Sequence, residues 1–558
     1  MHNPSSPLVT TACGTLLGLL VAVALPATGA PVMKETILKD IETLSSDDFE
    51  GRAPGSNGEE RTVAFLIDRF KALGLKPGNP DGTYVQKVPM SGFKATPTLS
   101  VSSSAGVASF KFPEQFIASS YTGQADNRVT DSELVFVGYG VIAPEFGWDD
   151  YKGADLRGKT LVMLINDPPV PDKHHPGSLD PAIFGGKAMT YYGRWTYKYE
   201  IAAKLGAAAA IIIHETEPAA YPYSVLQNGG SAESFSLRTG GPNPDYPPIA
   251  SWMQLDAAEA VLKSAGHSYA ELKASALSRD FRPLPLGVRA TLEVHDQIRS
   301  VDSRNVVARI EGSDPKLKAE TIVYTAHWDH FGWDPSLPGG KHDQIYHGAY
   351  DNASGVATLL AIAGAFQTAP VKPKRSILFV VTTAEEQGLL GARYYAQHPL
   401  YPLATTLADI NVDGAGVWGR TRDLEVVGMG KSTMDELFAK HAAAAGVIAR
   451  PDSHPERGYL YRADQLEFAR HGVPVLYVEP GIEVVGRAAS YGEEQINRFV
   501  DHDYHQVTDT VQPTWDTAGA ADTAAILYAV GAELAAGAPY PTWKSGSEFK
   551  SLREAPAR

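Results

Sequence analysis

Short apolar runs bounded by polar residues recur through the second half of the chain. They are Ile322-Val323-Tyr324, Ile345-Tyr346, Ile377-Leu378-Phe379-Val380-Val381, Leu407-Ala408-Asp409-Ile410 and Val473-Pro474-Val475-Leu476-Tyr477-Val478. Runs rich in β-branched and aromatic residues predict buried strands. Helices are predicted after three of the polar loops that follow them, over residues 353–366, 388–398 and 433–444, and an alanine-rich closing helix over 518–535. Asn305-Val306-Val307-Ala308-Arg309-Ile310 adds a further strand. Strand–helix alternation of this kind predicts an α/β fold with a mostly parallel central sheet flanked by helices.

The first half reads differently. Ile37, Ile41 and Leu44, then Val63, Leu66, Phe70 and Leu73, mark two helices within residues 34–75, and residues 82–107 alternate as strands do. From residue 130 the flow breaks. Strands are predicted at residues 133–137, 158–164 and 210–213, a helix at 198–205, and a Pro/His/Gly-rich surface loop at 168–186. Residues 130–282 therefore read as an inserted, smaller β-rich domain, and Arg282-Pro283-Leu284-Pro285 marks the return. The main domain is expected to be discontinuous, residues 31–129 and 283–545, with a flexible tail at 546–558.

A chain of 558 residues exceeds what one core usually holds, which agrees with two domains. The formal charge of -15 argues against a nucleic-acid partner, which would need a basic stripe. Beyond the N-terminus no tract is long enough for a membrane span. Residues 16–25 have the length of a signal h-region and Ala27-Thr28-Gly29-Ala30 offers small residues for cleavage, although the n-region holds no Lys or Arg. Residues 1–30 are read as a signal peptide, with export to periplasm or medium. The single cysteine, Cys13, lies inside it, so the mature chain would use neither disulfides nor a catalytic thiol.

Chemistry concentrates between residues 321 and 413. His327-Trp328-Asp329-His330, Gly348-Ala349-Tyr350-Asp351-Asn352-Ala353-Ser354-Gly355, Glu385-Glu386 and Asn411-Val412-Asp413 each follow an apolar run. In an open α/β sheet the carboxyl ends of the strands carry the ligand crevice, so these groups would reach one rim. Imidazole and carboxylate donors without cysteine suit catalytic rather than structural zinc. Asp329 stands where a carboxylate accepts the second ring N–H of a metal-bound His327; the plain alternative is a solvated turn. Asp351 or Asn352 alone also suits a helix N-cap, yet a carboxylate there can bridge two ions. Glu385 and Glu386 repel each other unless a cation intervenes, and one of them would be free to act as a general base; an acidic helix start is the other reading. Tyr504-His505-Gln506 offers a further His, with His502 as a competitor that spacing does not exclude.

Together these motifs resemble the di-zinc aminopeptidases of metallopeptidase family 28, across residues 303–535, and Phe49-Glu50-Gly51-Arg52 is similar to that family's start. The insert, with Gly138-Tyr139-Gly140 and Gly158-Lys159-Thr160, resembles a protease-associated domain. The resemblance implies a zinc-exopeptidase fold and two zinc ions. Asp351 would bridge them, Glu386 and His505 completing one site and His327 and Asp413 the other. Glu385 would be the general base for a hydroxide attacking the scissile carbonyl, and Asp329 would orient His327. Tyr350, Arg462, Asp464 and Tyr504 are candidate substrate contacts, although the chain has Ala463-Asp464-Gln465 where the family often has Ser-Asp-His.

The implied substrates are peptides cut at the N-terminal residue. The same resemblance admits a carboxypeptidase of acidic dipeptides, a single-zinc glutaminyl cyclase and a receptor-like module without catalysis. The first would need a basic cluster, for which Arg462 and Arg487 are candidates.

Overall fold

A computed structural model describes residues 32–554, so the expected signal peptide lies outside the described residues. Two bodies share one sixteen-stranded sheet. In the larger body, strands Val475–Pro480, Thr406–Asn411, Thr321–His327 and Ser376–Thr382 run parallel as neighbours. Antiparallel strands flank them, Asp423–Val426 on one side and the end of Leu284–Ile310 on the other. Every residue of the Thr321–His327 and Ser376–Thr382 strands is buried, which explains their unbroken apolar character. Helices cover both faces. Gly355–Thr368 and Ala518–Ala535 pack together and are apolar nearly all round.

The smaller body repeats the device. Asp126–Phe136, Thr160–Leu164, Ala209–His214 and Ile249–Gln254 form four parallel neighbours, closed by antiparallel Phe116–Ser119. It has its own apolar core. That core draws on Leu99, Val101, Phe116 and Ala118 before residue 130, and on Leu286, Val288, Ala290, Leu292 and Val294 after residue 282. The expected boundaries therefore cut through packed structure.

The cause is a long ribbon. Val85–Ser103 pairs antiparallel with Leu284–Ile310 along nearly its whole length, and the two strands run from one body into the other. The Pro283-Leu284-Pro285 stretch, read above as a break, opens this strand instead. Pro is tolerated at a strand's start, and the alternation from Leu286 to Val294 carries it onward.

One expectation holds and another changes. The loop at residues 168–186 is a surface loop without helix or regular strand, anchored by fully buried Phe184 against Trp148 and Phe146. The expected tail is ordered through residue 554: Phe549 packs on Trp543 with ring centroids 5.0 Å apart, and Arg553 donates to the carbonyls of Leu403 and Thr406 at 3.0 and 2.9 Å. Two aromatic side chains supply the anchor. Among the described residues no helix is long and apolar enough to cross a membrane.

Candidate metal centre

Register places the chemistry. His327 pairs with Thr382, and Thr325 with Asn411, so three parallel strands end nearly level. His327 is the last residue of its strand, while Glu385 and Asp413 stand just beyond theirs. All three reach one rim, as strand polarity requires.

Asp351 arrives from a loop that the chain must hold tightly. Gly348 turns at φ 55°, and a Cβ there would lie 2.7 Å from Arg52 Nη2. Only glycine takes this conformation cheaply at such close quarters. Arg52, 1 % exposed, donates to the carbonyls of Leu44 (2.8 Å), Trp328 (2.8 Å), His347 (2.6 Å) and Gly348 (2.8 Å), tying the N-terminal turn to two rim loops. Burial pulls its guanidinium down to about 10. Asp509 completes the clamp: its carboxylate accepts the backbone N–H of Tyr350 at 2.9 Å and of Asp351 at 3.1 Å. Burial pushes this carboxyl up to about 7 against the pull of those two donors.

The Asp351 carboxylate lies between two imidazoles. Its Oδ1 is 3.2 Å from His327 Nε2 and its Oδ2 is 3.3 Å from His505 Nε2. On the first side Asp413 Oδ1 is 3.2 Å from His327 Nε2; on the second, Glu386 Oε2 is 3.0 Å from His505 Nε2. Two groups of three donors thus share one carboxylate. Donor atoms of His327, Asp351 and Glu386 lie within 4.8 Å of one another.

Glu385 is 9 % exposed, with Oε2 3.8 Å from His327 Nε2. Burial pushes its carboxyl well up, His327 opposes this, and Asp413 and Glu386 add to it. Asp329 reaches two partners. Its Oδ1 accepts the Glu385 backbone N–H at 3.0 Å, while its backbone carbonyl is 3.2 Å from His327 Nδ1 and its carboxylate 3.7 Å. The nearer acceptor for the ring is therefore the carbonyl, and the carboxylate positions the Glu385 loop.

Four converging carboxylates have histidine as their only ion-pair partners among the described residues. Such a buried cluster is costly unless cations neutralise it. Nitrogen and oxygen donors in this number fit zinc with room for a substrate or water.

Of the four candidate substrate contacts, three line the cavities that open on this rim. Tyr350 stacks on Trp418 (5.2 Å), the Tyr504 ring lies 3.8 Å from that of His505, and Arg462 borders both cavities. Asp464 does not reach them. It is 1 % exposed and accepts from the Thr382 hydroxyl, and burial pushes its carboxyl up to about 7. Its place beneath the Glu385 strand makes it a support of that strand. His502 is exposed and offers only its carbonyl, to Thr508, so His505 is the residue on the rim. Arg487 is exposed beside Tyr491, apart from the cavities.

Sequence reasoning missed three contributors. His330 Nδ1 stands 2.6 Å from Glu386 Oε1 and holds that carboxylate from behind; its place in the His327-Trp328-Asp329-His330 run was the available signal. Arg52 closes the Phe49-Glu50-Gly51-Arg52 run and Asp509 follows His505 by four residues, but nothing local assigns either of them its clamping role.

One cavity is walled almost wholly by the larger body; the second lies between the two bodies. Both include Glu385, Glu386 and His505.

The description "Peptidase family M28" matches residues 305–529, the span that holds every donor named above. Residues 305–529 are a peptidase family M28 domain. Beyond the M28 domain, the aminopeptidase from Aneurinibacillus sp. strain AM-1 shares the overall fold, at TM-score 0.52 and 19% identity over 91% of this chain and 96% of that one. Leupeptin-inactivating enzyme 1 of Streptomyces exfoliatus is 30% identical over 223 residues, 38% of this chain and 49% of that protein. A vacuolar membrane protease of Verticillium alfalfae is 40% identical over 99 residues, 18% of this chain and 8% of that protein. The chain thus spans half or less of these two curated relatives.

The larger body carries one more cluster, away from the rim. Asp47 Oδ1 lies 2.7 Å from His342 Nδ1 and 2.9 Å from His347 Nε2, pinning the loop that leads to Gly348.

Proposed function

We propose that the chain is a two-zinc exopeptidase that removes N-terminal residues from peptides. The observation that carries this reading is the Asp351 carboxylate, which offers one oxygen toward His327 and Asp413 and the other toward His505 and Glu386. Zinc bound there would supply Lewis acidity and an acidified water at neutral pH. Glu385 lies beside those donors, with a carboxyl raised by burial. It is the residue to accept the proton of the attacking water and to return it to the departing amine. Asp329 fixes its backbone. The carboxylate-rich cavity favours a cationic free α-amine at the substrate's end.

The insert supports a role in substrate selection, because it supplies much of the second cavity's wall, including Arg194, Trp195, Tyr199 and Trp252. We take it to be a protease-associated domain and the chain to be exported. The retained donors and Glu385 argue against a receptor-like module. Leucyl- and alanyl-p-nitroanilide should be cleaved while N-acylated peptides are spared. Cleavage of blocked substrates alone would overturn the N-terminal specificity.

A further inference from the structure

The cavity between the bodies is lined by two guanidinium groups that form no ion pair among the described residues. Arg194 precedes the insert's helix Trp195–Lys204, and Arg462 belongs to the M28 domain. Arg194 Nε donates to the Tyr461 carbonyl at 3.0 Å, and its guanidinium carbon is 5.4 Å from the Trp195 ring. Arg462 Nη2 donates to the Ala219 carbonyl at 2.7 Å, with its guanidinium beside Tyr221 (5.3 Å) and Tyr459 (5.8 Å). The buried Nε of Arg462 has no partner. Both line the second cavity, together with Glu385, Glu386 and His505, and no carboxylate of the described residues pairs with either.

Two like charges in a partly desolvated cleft repel. Burial, with the Arg462 charge adding to it, draws Arg194 down to about 10. An anion would relieve this, and a guanidinium recognises a carboxylate through paired N–H donors. On the leaving side of an exopeptidase centre the available anion is the substrate's own carboxylate. Both arginines border the same cavity as Glu385, whose charge is felt at Arg194, and an extended residue spans only about 3.5 Å, so a short peptide suits the space between them.

We infer that the preferred substrates are di- and tripeptides, whose free C-terminal carboxylate is bound by Arg194 of the insert and Arg462 of the M28 domain. This rests on the exopeptidase reading above. It gives the insert a chemical task, since one of the two guanidinium groups comes from it.

The experiment compares Leu-Ala, Leu-Ala-amide and Leu-Glu-amide. Leu-Ala should exceed Leu-Ala-amide by at least about tenfold in kcat/KM, chiefly through KM, as expected for loss of a charge-assisted contact. Arg194→Gln and Arg462→Gln should each collapse that ratio, and Arg462→Lys should keep part of it. Equal rates for acid and amide, or a ratio unchanged in both Gln variants, would overturn the inference. Leu-Glu-amide matching Leu-Ala would also overturn it, assigning the pair to an acidic side chain. The wild-type ratio needs no variant to fold. Calorimetric binding of the three peptides to Glu385→Gln judges the arginines without turnover, and equal affinities there count against them. Leu-Gly-Gly should release leucine first; release of C-terminal glycine first defeats the N-terminal reading instead, and no cleavage of any peptide defeats the exopeptidase reading.

Discussion

Both bodies of the molecule present the carboxyl ends of four parallel strands, yet only one of the two rims is left electrostatically open. In the insert, Lys198 is fully buried, and its ammonium donates to the carbonyls of Tyr139 (2.6 Å) and Asn166 (3.0 Å). Asp167 accepts from the backbone N–H and hydroxyl of Thr190, and His214 Nε2 lies 3.1 Å from the Tyr221 carbonyl. Each of these three groups has a local partner. On the M28 rim, Asp351, Glu385, Glu386 and Asp413 face one another with histidines between them. The same architecture gives a structural rim in one body and a reactive one in the other. Function follows the uncompensated charge, because the fold alone does not set it.

Substitutions sharpen this contrast. The largest effect belongs to Glu385→Gln, which keeps the shape and removes the proton carrier. Turnover should fall by about 10³-fold while bound zinc is unchanged, measured by steady-state kinetics and elemental analysis. Arg52→Met strands four buried carbonyls behind the same rim, so the M28 body should lose about 3 kcal/mol in denaturant unfolding. A change below about 0.5 kcal/mol would mean that Arg52 is not a clamp.

The smaller body answers to pH instead. Burial holds His214 near 4, below its ordinary 6.5, so the unfolded chain binds the extra proton between those values. The His214 contribution to stability is therefore full above about pH 6.5 and declines as pH falls toward 4, by at most about 3 kcal/mol, a contribution that His214→Gln should remove from the difference between wild type and variant. Thermal melts of wild type and variant across that range check it. The smallest effect is expected at Asp464→Asn. Because Asp464 supports Thr382 and meets neither cavity, KM should stay within about twofold, while an order-of-magnitude rise would return it to the substrate path.

Much of this was legible in the chain. The rim residues follow apolar runs, and a parallel sheet sends whatever follows such runs to one edge. The closing helix Ala518–Ala535 coincides with its predicted span because alanine, the strongest helix former, recurs along it. What escaped was long-range. The Leu284–Ile310 strand begins among prolines and serves two cores, so local reading divided it. Asp464 sits in a motif position while its side chain turns beneath a strand. Arg194 belongs to the other body, and only folding brings it beside Arg462 and Glu385.

The most direct test is a metal count joined to activity. Elemental analysis of the purified chain should find two zinc ions, with peptide hydrolysis lost on exhaustive chelation and restored by added zinc. Full activity in the metal-free chain, or a single ion at saturation, would contradict the account.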